Sequence, residues 1–234
     1  MIDIGITDFL INVPSLPREE FEDYSTKLFD EWEKCVEQTL ILPDYSISLE
    51  VEEGSTKGAG KIAVAAGALY FGIGNYGDFI SGLQTIGSQV SYVSNALFVS
   101  ARSPFGCSNV NAKVRKRGGA LSHLHKLFDE VQGGKITSDQ AMIEVERLFG
   151  EDESSNELIS ELRSQFGIVP LHPEQLSLHD GTWEECNPIS TGSKKGAPRS
   201  SRRKPDPLSQ HYRIEIWRES KKDKKSVRVT KLKS

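Results

Sequence analysis

Between residues 62 and 101 the chain carries one charged side chain, Asp78, although 26 % of the whole sequence is Asp, Glu, Lys or Arg. A solvated helix normally places charge on its outer face, so a stretch this neutral calls for a buried apolar face backed by an uncharged polar one. Two helical periods fit it. Ile62, Ala66, Leu69, Ile73 and Tyr76 recur at spacings of four and three, and so do Phe79, Leu83, Ile86, Val90, Val93 and Leu97. The NYGD segment at residues 75–78 reads as the turn between them. The pattern predicts a helical hairpin over residues 58–101, with one Gly/Ala-rich arm and one Ser-rich arm. Ala59, Ala63 and Gly67, four apart, would let another element approach the first arm closely. Opposite the apolar stripe of the second arm lie Ser81, Gln84, Thr85, Ser88, Ser91, Tyr92 and Asn95. Such a hairpin suits packing on a sheet, self-association, or a membrane surface in the manner of neutral-faced lipid-packing helices. Neither arm suits a transmembrane span, which needs about 20 apolar residues: the first arm is short and broken by glycine, and the second is too polar.

The flanking segments read as an α+β protein. Residues 2–13 are rich in β-branched side chains and stop at Pro14, as a strand would; Pro17 then opens a helix to about residue 40, with Phe21, Leu28, Trp32, Cys35 and Val36 on one face. Residues 45–53 alternate, with Ile47, Leu49 and Val51 one way and Ser46, Ser48, Glu50 and Glu52 the other, the pattern of a half-buried antiparallel strand. Lys113 to Arg117 form a basic knot. Three short helices are expected after it, the second and third opened by capping boxes at Thr137/Gln140 and Ser154/Glu157. Residues 211–217 and 226–232 read as a C-terminal β-hairpin around a lysine-rich turn. It is expected to pair with strand 45–53 or 2–13, setting Glu50 and Glu52 against Arg228 or Lys231. The fold expected is a small antiparallel sheet from both chain ends, a central Gly/Ser-rich helical hairpin and a short-helix annex. Its parts are a core at 1–112, a short-helix region at 113–167, an irregular segment with a basic linker at 168–209, and the hairpin at 210–234.

The EVEEGSTKGAGKIAVAAG segment sets glycines and lysines after a strand, where proteins cradle phosphates. It is not a P-loop. Five residues separate Gly54 from Gly60, Lys61 is followed by Ile62 rather than by a magnesium-binding hydroxyl, and the strand before it alternates and ends in two glutamates. The expectation is a strand-to-helix turn with Ser55 as helix cap, Lys57 and Lys61 being the only handle for an anion.

Charge is divided along the chain. From residue 187 onward 15 Lys and Arg stand against four Asp and Glu, while the first 186 residues hold 14 against 29. A basic tail on an acidic body either folds back on it or is offered to a polyanion. Arg199, Arg202, Arg203 and Lys204 form one cluster and Lys221, Lys222, Lys224 and Lys225 another, with Tyr212 and Trp217 near enough to stack on bases. Three widely spaced cysteines, Cys35, Cys107 and Cys186, suggest free thiols in a reducing compartment, and MIDIGITDF has no secretory character. His123 and His125 point different ways on a helix; His172, His179 and Cys186 recur at seven without the spacing of a metal site; Cys107 has no partnered histidine. No catalytic constellation, cofactor site, metal site or small-molecule substrate is evident.

The run EEGSTKGAGKI…YFGIGNYGDF resembles small bacterial proteins that share an acidic-Gly-Ser turn ahead of a glycine-rich helix. The resemblance implies a bacterial cytosolic origin and carries over no activity. Two functions follow as expectations. The first is a non-enzymatic interaction protein, cytoplasmic or peripheral at the inner face of the membrane. It would use Phe79, Leu83, Ile86, Val90, Val93 and Leu97 to meet itself, another protein or an anionic membrane surface. The alternative is an accessory protein that binds DNA or RNA through the basic C-terminal arm.

Overall fold

The structure, a computed structural model, describes residues 1–13, 16–53, 56–75, 78–105, 112–150, 152, 154–168 and 211–232. The chain runs β1 (Ile2–Ile11), α1 (Arg18–Thr39), β2 (Ser46–Glu52), β3 (Thr56–Val64), α2 (Ala66–Gly74), α3 (Phe79–Arg102), a 3-10 turn (Ser103–Phe105), β4 (Ala112–Arg117), α4 (Gly119–Gln132), α5 (Ser138–Phe149), α6 (Asn156–Ile168), β5 (His211–Arg218) and β6 (Ser226–Leu232). All six strands join one antiparallel sheet in the order β4-β1-β3-β2-β5-β6. The fold is α+β, as the patterning predicts, and the C-terminal hairpin joins the sheet by pairing β5 with β2.

Alternation fixes which side of the sheet is buried. Ile47, Leu49 and Val51 of β2, Phe9 and Ile11 of β1, and Ile214 and Ile216 of β5 are all under 4 % exposed. They meet α1 and α3, which lie side by side on this face. Trp32, Phe29 and Phe21 supply the bulk from α1. Burying side chains of this size contributes roughly 1.5–3 kcal/mol each. The short helices α4, α5 and α6 close the end of this layer through Leu124, Phe128, Val145, Phe149, Leu162 and Phe166. Among the described residues, no helix lies on the other side of the sheet. That side presents rows of polar side chains in register, among them Arg115–Asp8–Ala59–Glu50–Glu215–Arg228 and Lys113–Leu10–Lys57–Glu52–Arg213–Thr230.

The first arm of the expected helical hairpin is largely a strand. Residues 56–64 form β3, between β1 and β2, and only Ala66–Gly74 is helical before α3. Ile62 belongs to the sheet, and Ala59 and Ala63 lie on its uncovered side opposite Gly60 and Ile62, so their four-residue spacing is not helical. The glycines have a packing reason. A Cβ on Gly58 would come within 2.0 Å of the Phe9 ring, and one on Gly60 within 2.2 Å of Leu97 and 3.2 Å of Trp32. The strand is thinned so that two large aromatics and α3 can rest on it. Because β2 leads into β3 rather than into a helix, Lys57 and Lys61 stand on a strand and cannot mark a helix start; Gly54 and Ser55 lie outside the described residues.

Helix starts are set locally. Asp78 caps α3 by accepting from Ser81 N at 3.1 Å, and Thr137 with Gln140 forms the expected capping box of α5. The box expected at Ser154/Glu157 serves another helix instead. Ser154 Oγ accepts from Gly67 N at 3.1 Å and Asp152 Oδ2 from Ala66 N at 3.3 Å, so the turn before α6 caps α2. The KVRKR knot is an edge strand, β4.

Candidate functional site

Phe79, Leu83, Ile86, Val90, Val93 and Leu97 are between 0 and 8 % exposed, pressed onto the sheet, α1 and α2. This corrects the expectation that they form a self-association or membrane face: the chain's own core uses them. What α3 shows outward is Ser81, Gln84, Ser88, Ser91, Tyr92, Asn95 and Val99. Among the described residues no helix is long and apolar enough to cross a membrane, and no group of three metal-ligating side chains gathers.

The cations of the C-terminal hairpin are mostly engaged with the acidic body. Arg218, 7 % exposed at its side chain, donates from Nη1 to Glu33 at 2.8 Å and Glu37 at 2.9 Å, both on α1. Arg213 bridges Glu50 and Glu52, each at 3.0 Å from its Nε, so those two glutamates are held from β5 rather than by Arg228 or Lys231. Arg228 instead meets Glu215 at 3.6 Å and stacks over Trp217, 5.4 Å from the ring centre. Lys225 reaches Asp30, and Lys221 stacks on Tyr45 at 5.7 Å. Asp44 ties the hairpin turn to the body, accepting from Lys221 N at 2.8 Å, Ser220 Oγ at 2.9 Å and Tyr45 N at 2.9 Å. Its carboxyl loses hydration, but these three donors outweigh that and hold it below the usual carboxylate range. Lys222 and Lys224 stay exposed at the turn. The cluster Arg199, Arg202, Arg203 and Lys204 lies outside the described residues, as do Cys107, His172, His179 and Cys186.

The opposite edge of the sheet is different. β4 reads AKVRKR, and Lys113, Val114, Arg115, Lys116 and Arg117 are all exposed. Its register with β1 sends Lys113, Arg115 and Arg117 to the uncovered side and Lys116 to the helix side. Alternate residues of a strand stand about 6.8 Å apart, so these three cations form a line along the edge. Arg117 donates to Asp8 at 2.7 Å. That commits Asp8, and Arg115, which faces it in register, has no acidic partner among the described residues; neither has Lys113. Lys57 of β3 joins them around a groove of about 600 Å³, floored by Asp8, Leu10 and Ala59 and bounded on the far side by Glu50 and Glu52. Those two glutamates share the single Arg213, so a carboxylate charge remains on the far wall while Lys113 and Arg115 hold the near one.

The basic knot at Lys113 to Arg117 is legible in the sequence, where it adds a third cluster to the two of the tail as a polyanion contact. The pairing of the tail's cations depends on register across residues some 160 positions apart in the chain, which no local pattern records. No family model, no curated protein and no solved structure matches the chain.

Proposed function

We propose that the protein binds nucleic acid through the sugar–phosphate backbone at the β4 edge, with Lys113, Arg115 and Lys57 as the principal contacts. The observation that carries this reading is the contrast between the two basic regions. In the C-terminal hairpin, Arg213, Arg218 and Lys225 each hold a carboxylate of the body and Arg228 holds Glu215 of the hairpin itself, whereas Lys113 and Arg115 stand exposed in line with no carboxylate partner among the described residues. Exposed cations without a carboxylate partner among the described residues supply attraction without a sequence code. Lys222 and Lys224 lie at the far corner and add to the field without sharing the groove. Charges on an edge strand also discourage edge-to-edge aggregation, and the experiment separates that role from binding.

Fluorescence anisotropy with labelled single- and double-stranded oligonucleotides at 50 mM salt is the test. Contact with about three phosphates predicts a loss of affinity of roughly 20- to 40-fold between 50 and 200 mM salt. Lys113→Ser with Arg115→Ser should flatten that slope and weaken binding at least tenfold with the fold intact. Wild-type protein that leaves both oligonucleotides unshifted at 50 mM salt would sink the reading and leave the charges as guards of the edge.

A further inference from the structure

We infer that the cleft between α3, the end of β4 and the start of α4 is a binding site for a phosphomonoester, a small molecule with one phosphate and a compact apolar or ring-bearing remainder. It lies on the helix side of the sheet, apart from the groove of the proposed nucleic-acid surface. Its volume is about 560 Å³, its floor is Ile4, Val90 and Leu121, and among the described residues no Asp or Glu lines it.

Four observations converge there. Ser94 is 4 % exposed and lines the cleft, and its hydroxyl has no hydrogen-bond partner among the described residues. Set in the cleft wall, that hydroxyl can donate to an acceptor group of a ligand. Lys116 reaches in from β4, and among the described residues its ammonium donates only to the neutral Asn95 side chain, with no carboxylate partner. The α4 start opens on the same cleft through Gly118 and Ser122, with no side-chain cap and no acid in its first turn. Gly118, Leu121 and Ser122 of this start line the space, so the positive end of the helix dipole lies beside it. Gly119 holds that start in place: at φ +53° it lies so close to β1 that a Cβ would come within 2.0 Å of the Asp3 carbonyl oxygen. His125, one turn further along α4, adds a ring nitrogen at the rim. Donors and one cation at one end select a phosphate dianion. The apolar floor, in a space larger than an inorganic phosphate occupies, selects an ester of it.

Phenyl phosphate is a suitable probe, titrated into nitrogen-15-labelled full-length protein and followed by the amide signals of residues 118–122. Expected are saturable shifts there, with affinity at least tenfold tighter than for inorganic phosphate, and none with sodium chloride of equal ionic strength. Ser94→Ala and Lys116→Gln, each confirmed folded by its spectrum, should weaken phenyl phosphate at least fivefold. Lys113→Ser with Arg115→Ser should leave it unchanged, so the outcome is independent of nucleic-acid binding. Absence of saturable shifts, equal affinity for inorganic phosphate, or full affinity retained in both Ser94→Ala and Lys116→Gln would overturn the assignment.

Discussion

Two side chains do more for cohesion than their positions in the chain suggest. Asp152 sits before α6 yet caps α2, and its Oδ2 lies 3.7 Å from the amino group of Met1. The hydrogen bond from Ser154 acts first to hold its carboxyl below the ordinary range, and the amides of Ser154 and Ala66 add to it. A lowered folded-state value means stability that is present above the usual carboxylate pKa of about 3.9 and lost as pH falls through the folded value. Asp152→Ala is expected to cost about 1 kcal/mol at pH 7, and the gap to wild type should close as pH falls toward 3, read from urea melts at several pH values. A pH-independent difference would show that packing, not the charge, links annex to core. Arg218 joins the last stretch of chain to α1. Burial raises the neighbouring Tyr45 phenol to about 12, so that ring stays neutral under the guanidinium. Arg218→Ala would strand Glu33 and Glu37 beside a buried gap. Glu37 is 40 % exposed, so water offsets part of the loss, and about 2–3 kcal/mol is expected. Arg218→Met, which keeps the packing, should cost less in the same melts.

At the scale of elements, the strand β3 is where sequence reasoning and structure part. Helix α1, strands β1 and β2, the capping box of α5 and the C-terminal hairpin were legible because each follows from a local period or a local cap. Residues 56–64 were not. A window rich in Gly and Ala with few large apolar groups has almost no period, and the helical spacing from Leu69 onward extends backward through Ala66 to Ile62 by coincidence. The decisive information is non-local: Phe9, Trp32 and Leu97 need the space that Gly58 and Gly60 leave. Gly58→Ala should therefore destabilise by about 2 kcal/mol, since the Phe9 ring is fixed in the core and cannot yield. Gly87 offers the control. It lies inside α3 with nothing within 4 Å of its missing Cβ, so Gly87→Ala should stabilise by up to about 1 kcal/mol. Both are read as shifts of the denaturation midpoint at unchanged m. If the two substitutions move the midpoint the same way, the packing account of β3 fails. The six apolar residues of α3 teach a related lesson: their stripe was plain in the sequence, but a stripe does not say what covers it.

For the molecule as a whole, folding brings the described part of the basic tail, residues 211–232, against the acidic body, since that segment is part of the sheet. β5 lies between β2 and β6 and brings Ile214 and Ile216 into the core at 1 % exposure. Its arginines meet acids on α1 and β2. Without it, β2 becomes a seven-residue edge lined with Ile47, Leu49 and Val51 on the core side, and the acids of α1 lose their counter-charges. An edge of that kind recruits other chains. A chain ending after Ile168 is therefore expected to lose its single cooperative unfolding transition, to bind hydrophobic dye and to associate, as judged by calorimetry and light scattering. A synthetic peptide of residues 211–232 supplies the missing strand and its arginines. Added in trans, it should restore a cooperative transition by strand addition, and the same peptide with Arg213 and Arg218 both changed to Ser should do so poorly. A truncated chain that stays monomeric and melts within a few degrees of the full-length protein would refute this. It would mean that the hairpin is an accessory laid on a sheet already complete without it, and that the pairing of charge across it is a consequence of the fold rather than one of its causes.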